Sequence, residues 1–221
     1  MYEFHWEAIP QYFPMFLKPA LLTLEITAAG VAIGLILGLI TSLAKLSKTP
    51  IISIPAKIYI FVIRGTPLLL QLMILFYGLT SMVLLDPFPA AAIALGIHNG
   101  AYIAEIFRGA IQSIERGQME AARSLGMTSG QAMRRIILPQ ALKRAVPPLG
   151  NQFIIALKDS SLASVITIRE LVLTSRQLAS SSLMYMEMFT IAALYYLFYT
   201  TVLSLLLDYV EKRLGASDYK D

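Results

Sequence analysis

Long uncharged stretches organise the chain. No Asp, Glu, Lys or Arg interrupts Ile26 to Ala44, Gly65 to Leu85, Pro87 to Ala104 or Met188 to Leu207. Each is close to the roughly 20 apolar residues a helix needs to cross about 30 Å of hydrocarbon. A weaker fifth run, Ala145 to Leu157, carries Pro147, Pro148, Asn151 and Gln152. The pattern predicts an all-α integral membrane protein with about five spans. The second span opens on Arg64-Gly65-Thr66-Pro67, and the fourth is interrupted by Pro147-Pro148 and Gly150. Proline removes an amide donor, so both are expected to break. Broken membrane helices persist where they line a buried or water-filled cavity, which makes a transport path the first expectation.

Smaller patterns add detail. Gly30, Gly34 and Gly38 fall on one helix face, where small residues let two backbones approach, inside the bundle or at a subunit interface. The start of the chain (Glu3, Phe4, Trp6, Glu7, Tyr12, Phe13, Phe16, Lys18) reads as an interfacial helix with aromatics at headgroup depth. Lys158 to Glu187 is Ser-rich, with mixed helix and loop character. The extreme C-terminus, Asp218 to Asp221, resembles a tag remnant, leaving 1–217 as one membrane domain.

Composition agrees: 57% of residues are hydrophobic and 14% charged, where soluble proteins carry about a quarter charged. Cysteine is absent, which excludes a disulfide framework and thiolate chemistry. The net charge of +4 invites a nucleic-acid reading, but the basic residues are distributed as membrane loops require. Lys45, Lys48, Lys57, Arg108, Arg116, Arg123, Arg134, Arg135, Lys143, Arg144, Lys212 and Arg213 fall on one side. Only Lys18, Arg169 and Arg176 fall on the other, with Arg64 and Lys158 embedded. The positive-inside rule then puts the N-terminus outside and the C-terminus and the 108–144 loop in the cytoplasm. The start of the chain has no basic n-region, so the first span is expected to be a retained helix.

That loop carries the most specific motif. Glu120-Ala121-Ala122-Arg123-Ser124-Leu125-Gly126 is followed, nine residues on, by Ile136-Ile137-Leu138-Pro139. Residues 115–125 contain good helix formers, and Gly126 is placed to end a helix in the left-handed conformation. So short a helix is marginal alone in water, so it is expected to dock on a partner. The pattern resembles the EAA loop of ABC-importer permeases, with every fixed position filled. Arg64-Gly65-Thr66-Pro67-Leu68-Leu69-Leu70-Gln71, Asn99 to Gly109 and Lys158-Asp159-Ser160-Ser161-Leu162 are similar to segments of the polar-amino-acid branch. The resemblance implies a type I importer bundle with a cytoplasmic coupling helix built on Glu120, Ala121, Ala122, Leu125 and Gly126. It implies two ATPase subunits holding the ATP, a second permease subunit and an extracytoplasmic amino-acid-binding protein. No cofactor is expected on this chain, which has no G-x-x-x-x-G-K-[ST] motif.

Ionisable groups inside a bilayer are costly and usually functional. His98, Tyr102 and Glu105 are spaced to share one helix face, bordered by Asn99. Thr66 at the second-span break, Asn99, Tyr102 and Glu105 on or beside this stripe, and Asp159, Ser160 and Ser161 are the candidate substrate contacts. The two clusters could together supply donors and acceptors to a zwitterionic amino acid. Two carboxylates, Glu105 and Asp159, favour a cationic one. Each residue also has a structural alternative. Asp159 can neutralise Lys158 or Arg64, Glu105 can pair with Arg108, and Asn99 and Tyr102 can bind helix to helix. Glu25 is expected at the interface. With His5 and His98 the only histidines, neither a metal-ligand set nor a catalytic triad is visible, so no enzyme is expected. A secondary transporter or a membrane adaptor docking a cytoplasmic partner are the competing functions.

Overall fold

The computed structural model describes residues 4–215, so the 218–221 remnant and Glu3 lie outside the described residues. Every regular element among those residues is helical. Helix α1 runs Ala8–Leu46, with a 3-10 turn at Phe13–Phe16 around Pro14. Its aromatic start divides between exposed and buried rings. Trp6 is exposed, but Phe16 is fully buried and Phe13 stacks on Tyr195 with ring centroids 4.5 Å apart. These rings join α1 to the last helix, because burying an aromatic removes more apolar surface from water than a headgroup position does.

Gly30, Gly34 and Gly38 lie against α4 (Pro87–Gln112). A Cβ on Gly38 would stand 2.5 Å from Ile103 Cγ2, so the glycine face is internal packing and α1 and α4 form the central pair of the bundle.

The second apolar run folds differently from the expectation. Helix α2 occupies Pro50–Arg64, ahead of the expected start of the second span, so Lys57 is helical. Helix α3 (Leu68–Gly78) follows at 104°. The break at Gly65-Thr66-Pro67 is therefore an elbow inside the element, and residues 79–86 beyond Gly78 form no helix. Gly65 N–H bonds Phe61 O, closing α2, while Pro67 has no N–H to offer and starts the new direction.

After α4 come two short helices in the 108–144 loop, α5 (Arg116–Ser124) and α6 (Ser129–Ala132). A π-helical turn over Met133–Ile137 leads into α7 (Leu138–Asp159). Thr128 and Gln131 form a reciprocal capping box on α6. Helix α7 passes through Pro147 and Pro148 without the predicted interruption. Proline's fixed φ suits a helix, and the carbonyls it leaves free are tolerated where neighbouring groups re-satisfy them. The helix tightens instead at Ser160–Ile166, a 3-10 segment ended by Thr167 at φ 70. Helix α8 (Leu171–Ser182) and helix α9 (Tyr185–Leu214) complete the chain.

Three helices, α1, α4 and α9, are long and apolar enough to cross a membrane, and the bent α2–α3 pair makes a fourth. The fifth expected span, α7, has 22 residues, or about 33 Å at the usual rise. It carries Lys143, Arg144, Lys158 and Asp159, which lower its apolarity below that of the others.

Candidate functional site

The elbow between α2 and α3 borders an open cavity of about 280 Å³ against α4, walled by apolar side chains with Thr66 and Gln71 as its polar members. Gln71 holds the bend. Its Nε2 donates to Ile63 O at 2.9 Å, Thr66 O at 3.1 Å and Thr66 Oγ1 at 2.8 Å, and Thr66 Oγ1 donates to Val62 O. Three acceptors around Nε2 fix the amide, so Oε1 faces His98. The His98 Nδ1, 3.1 Å away, must then carry the proton and donate.

The predicted stripe on α4 continues from there. The His98 and Tyr102 rings lie 5.1 Å apart, and the Arg64 guanidinium stands 5.1 Å over Tyr102. One turn further, Glu105 accepts from Lys45 of α1 and from Arg108 Nε at 3.0 Å, with Arg64 Nη1 at 4.0 Å. Its side chain is 18% exposed. Thr66, Tyr102 and Glu105 thus belong to one continuous polar surface, linked through Gln71, His98 and Arg64.

The other candidates lie elsewhere. Asn99 is fully buried on the face of α4 about 100° round from His98, donating to Leu95 O and accepting from Gln152 of α7 at 2.7 Å. This pair sets the register of α4 against α7. From it Glu105 lies six residues in one direction and Asp159 seven in the other, roughly 20 Å along the bundle at about 1.5 Å per residue. Glu105 and Asp159 therefore do not share a pocket within one chain. Ser160 is buried with its hydroxyl on Leu157 O, while Asp159 and Ser161 are half-buried.

Gln71, Lys45 and Gln152 were not named among the candidates. A lone amide inside an uncharged run marks Gln71, and the Asn151-Gln152 pair marks Gln152, but Lys45 reads as one more loop cation until α1 is placed beside α4. Glu170 was also missed. It lies at the start of α8 beside α9, fully buried, and caps α8 by accepting from Val172 N at 2.9 Å and Leu173 N at 2.8 Å. Tyr196 Oη donates to the same carboxyl at 3.2 Å. Burial pushes the Glu170 carboxyl up to about 7, against the downward pull of these three donors.

The 108–144 loop projects α5, which buries only Ala122 among its residues. Glu120, Ala121 and Leu125 are exposed, Leu125 at 82%. Gly126 has φ +84, the left-handed exit that a Cβ disfavours.

A helical bundle around a polar elbow, with a short helix standing clear of it, is the architecture of a membrane-embedded transport subunit. The chain belongs to the family of binding-protein-dependent transport system inner membrane components, whose model matches residues 8–216. It is 40% identical over 215 residues to the glutamine transport system permease protein of Escherichia coli (strain K12), covering 96% of this chain and 98% of that one. It is 40% identical over 212 residues to the L-cystine transport system permease protein of Bacillus subtilis (strain 168), covering 95% and 91%. The crystal structure of an amino acid ABC transporter with histidines superposes with a TM-score of 0.90 at 41% identity, over 96% of this chain and 100% of that one. The chain is thus a multi-pass permease subunit of an ABC importer of the inner membrane. It is not itself an enzyme, and it works with a separate ATPase and a substrate-binding protein. This sets aside the secondary-transporter and adaptor readings.

Proposed function

We propose that this chain is one of two permease subunits that form the path of a polar amino acid, with two ATPase subunits seated on α5 and the binding protein on the opposite face. In this reading α1, the α2–α3 elbow, α4, α7 and α9 are the five spans of one domain over 1–217. The N-terminus is outside and the C-terminus in the cytoplasm. ATP is held by the partner chains. Relatives named for glutamine and L-cystine transport support the amino-acid class.

The substrate passes the elbow, contacting Thr66 and Tyr102, and meets Asp159, Ser160 and Ser161 at the far end of α7. Asn99, bonded to Gln152 and fully buried, holds α4 against α7 beside this route. Glu105 faces three cations within 4.0 Å, so its charge is spoken for. We assign it to holding the elbow against α1, which leaves Asp159 as the carboxylate that favours a cationic ligand.

The observation that carries the coupling assignment is Leu125, 82% exposed at the end of a helix that turns back through Gly126. An apolar side chain so placed is ready to enter a groove on a partner, beside Glu120, Ala121 and Ala122. A left-handed conformation costs a residue with a Cβ about 1–2 kcal/mol, so Gly126→Val redirects the chain after α5. In a reconstituted complex the variant is expected to insert and assemble while substrate-stimulated ATP hydrolysis falls about tenfold. Wild-type stimulation would refute the assignment.

A further inference from the structure

We propose that the groove between α7 and α9 binds an anionic phospholipid from the leaflet on the α5 side, with an acyl chain in the groove and the phosphate between Lys143 and Arg213. The groove has a volume of about 370 Å³ and is floored by the central helix pair through Val31, Leu35 and Ile103. Its walls include Phe153 of α7 and Leu206 and Val210 of α9, and every residue lining it is apolar. It therefore offers nothing to orient a polar substrate. It is also too small for a helix about 10–12 Å across, whereas a chain of methylenes fits.

The two walls meet at Gly150, where an added Cβ would stand 2.2 Å from Leu207 Cδ1. That contact sets the antiparallel register. Moving from it toward the α5 side, Lys143 lies seven residues before Gly150, and Arg213 lies six after Leu207, so the two sit at the same end. Each continues the stripe of its helix that lines the groove: Lys143 is three residues before Val146, and Arg213 three after Val210. Both are exposed. Among the described residues Lys143 has no carboxylate partner. Arg213 is held by its own helix through Tyr209, Nε to Oη at 3.0 Å with the guanidinium 5.2 Å from the ring centre. Asp208 falls on the opposite face of α9 at about 100° per residue, and Glu211 falls to the side. An open apolar crevice with two cations beyond one end is complementary to an acyl chain capped by a phosphodiester.

The test is native mass spectrometry of the importer complex, purified from membranes containing phosphatidylglycerol and phosphatidylcholine in equal amounts. The wild-type complex is expected to retain phosphatidylglycerol preferentially. In Lys143→Gln/Arg213→Gln the preference should fall about thirtyfold, which corresponds to about 2 kcal/mol for two basic residues near a bilayer surface. Lys143→Arg/Arg213→Lys, which keeps both charges, should retain it. Equal retention of the two lipids by the wild type overturns the proposal, and this comparison stands even if the neutral variant does not fold. An undiminished preference in a folded neutral variant overturns it too, as does an image of the complex with a second copy of this chain in the groove.

Discussion

If Glu105 holds the elbow against α1, Glu105→Gln should loosen the bundle before it alters selectivity. The substitution keeps the volume of the side chain and removes its charge. Two partners are lost in part: Lys45, and Arg108 with its Nε and Nη2 at 3.0 and 2.9 Å. A hydrogen bond to a charged group contributes about 1.5–3 kcal/mol and a neutral one about 0.5–1.5, so the loss is about 1–1.5 kcal/mol per partner. Three cations then lie near one neutral amide, and their repulsion adds to the cost. Arg108 is only partly relieved by Gln112, to which its Nη1 already donates. The sum is about 2–4 kcal/mol. At about 2–4 °C per kcal/mol for a chain of this size, the unfolding midpoint in detergent should fall by about 5–15 °C. Lys45→Met should cost a similar amount. The double variant should cost less than the two together, because each single change strands a charge. Uptake per folded complex should keep its KM. A midpoint within about 1 °C of wild type, a double-mutant cycle with no coupling, or a KM raised tenfold at unchanged stability would each refute the reasoning. The last result would return Glu105 to the substrate.

Two further outcomes follow from the packing. Gly38→Ala adds a Cβ at 2.5 Å from Ile103 Cγ2 and 3.0 Å from Ala104 N, so α1 and α4 must separate. The cost is about 1–3 kcal/mol, read as a lower unfolding midpoint, and an unchanged midpoint would contradict the close approach. Glu170 holds its proton up to about 7 when folded and up to about 4.5 when unfolded, so its contribution is full below pH 4.5 and is lost as pH rises through 7. That loss amounts to about 3 kcal/mol. Thermal unfolding between pH 5 and 8.5 should show wild-type stability falling with pH more steeply than Glu170→Gln, and parallel curves would refute it.

How much of this was legible in the chain depends on which physical term decided each feature. The spans α1, α4 and α9 follow from apolar length alone, since nothing but a bilayer or a core accommodates such runs. The elbow was legible at Gly65 and Pro67 but misplaced. Pro50, Ser53, Pro55 and Lys57 dilute the hydropathy of a segment whose helix nevertheless exposes Ile51, Ile54, Ile58 and Phe61. Pro147-Pro148 was over-read for a related reason: the cost of a proline depends on whether the carbonyls it frees find other partners, which no local pattern records. Periodicity on α4 correctly grouped His98, Tyr102 and Glu105, yet it could not say what each meets. His98 and Asn99 are adjacent, and one reaches Gln71 across the elbow while the other reaches Gln152 on α7. A helix divides neighbouring residues between different partners about 100° apart. A polar residue in a membrane helix therefore announces that it has a partner, and only the packing of α1, α3 and α7 around α4 decides whether that partner is protein or substrate. By that criterion Asn99 and Glu105 are both satisfied within the protein. Thr66 and Gln71 have protein partners too, but they edge the open space of the elbow cavity, where a travelling amino acid would meet their polar atoms.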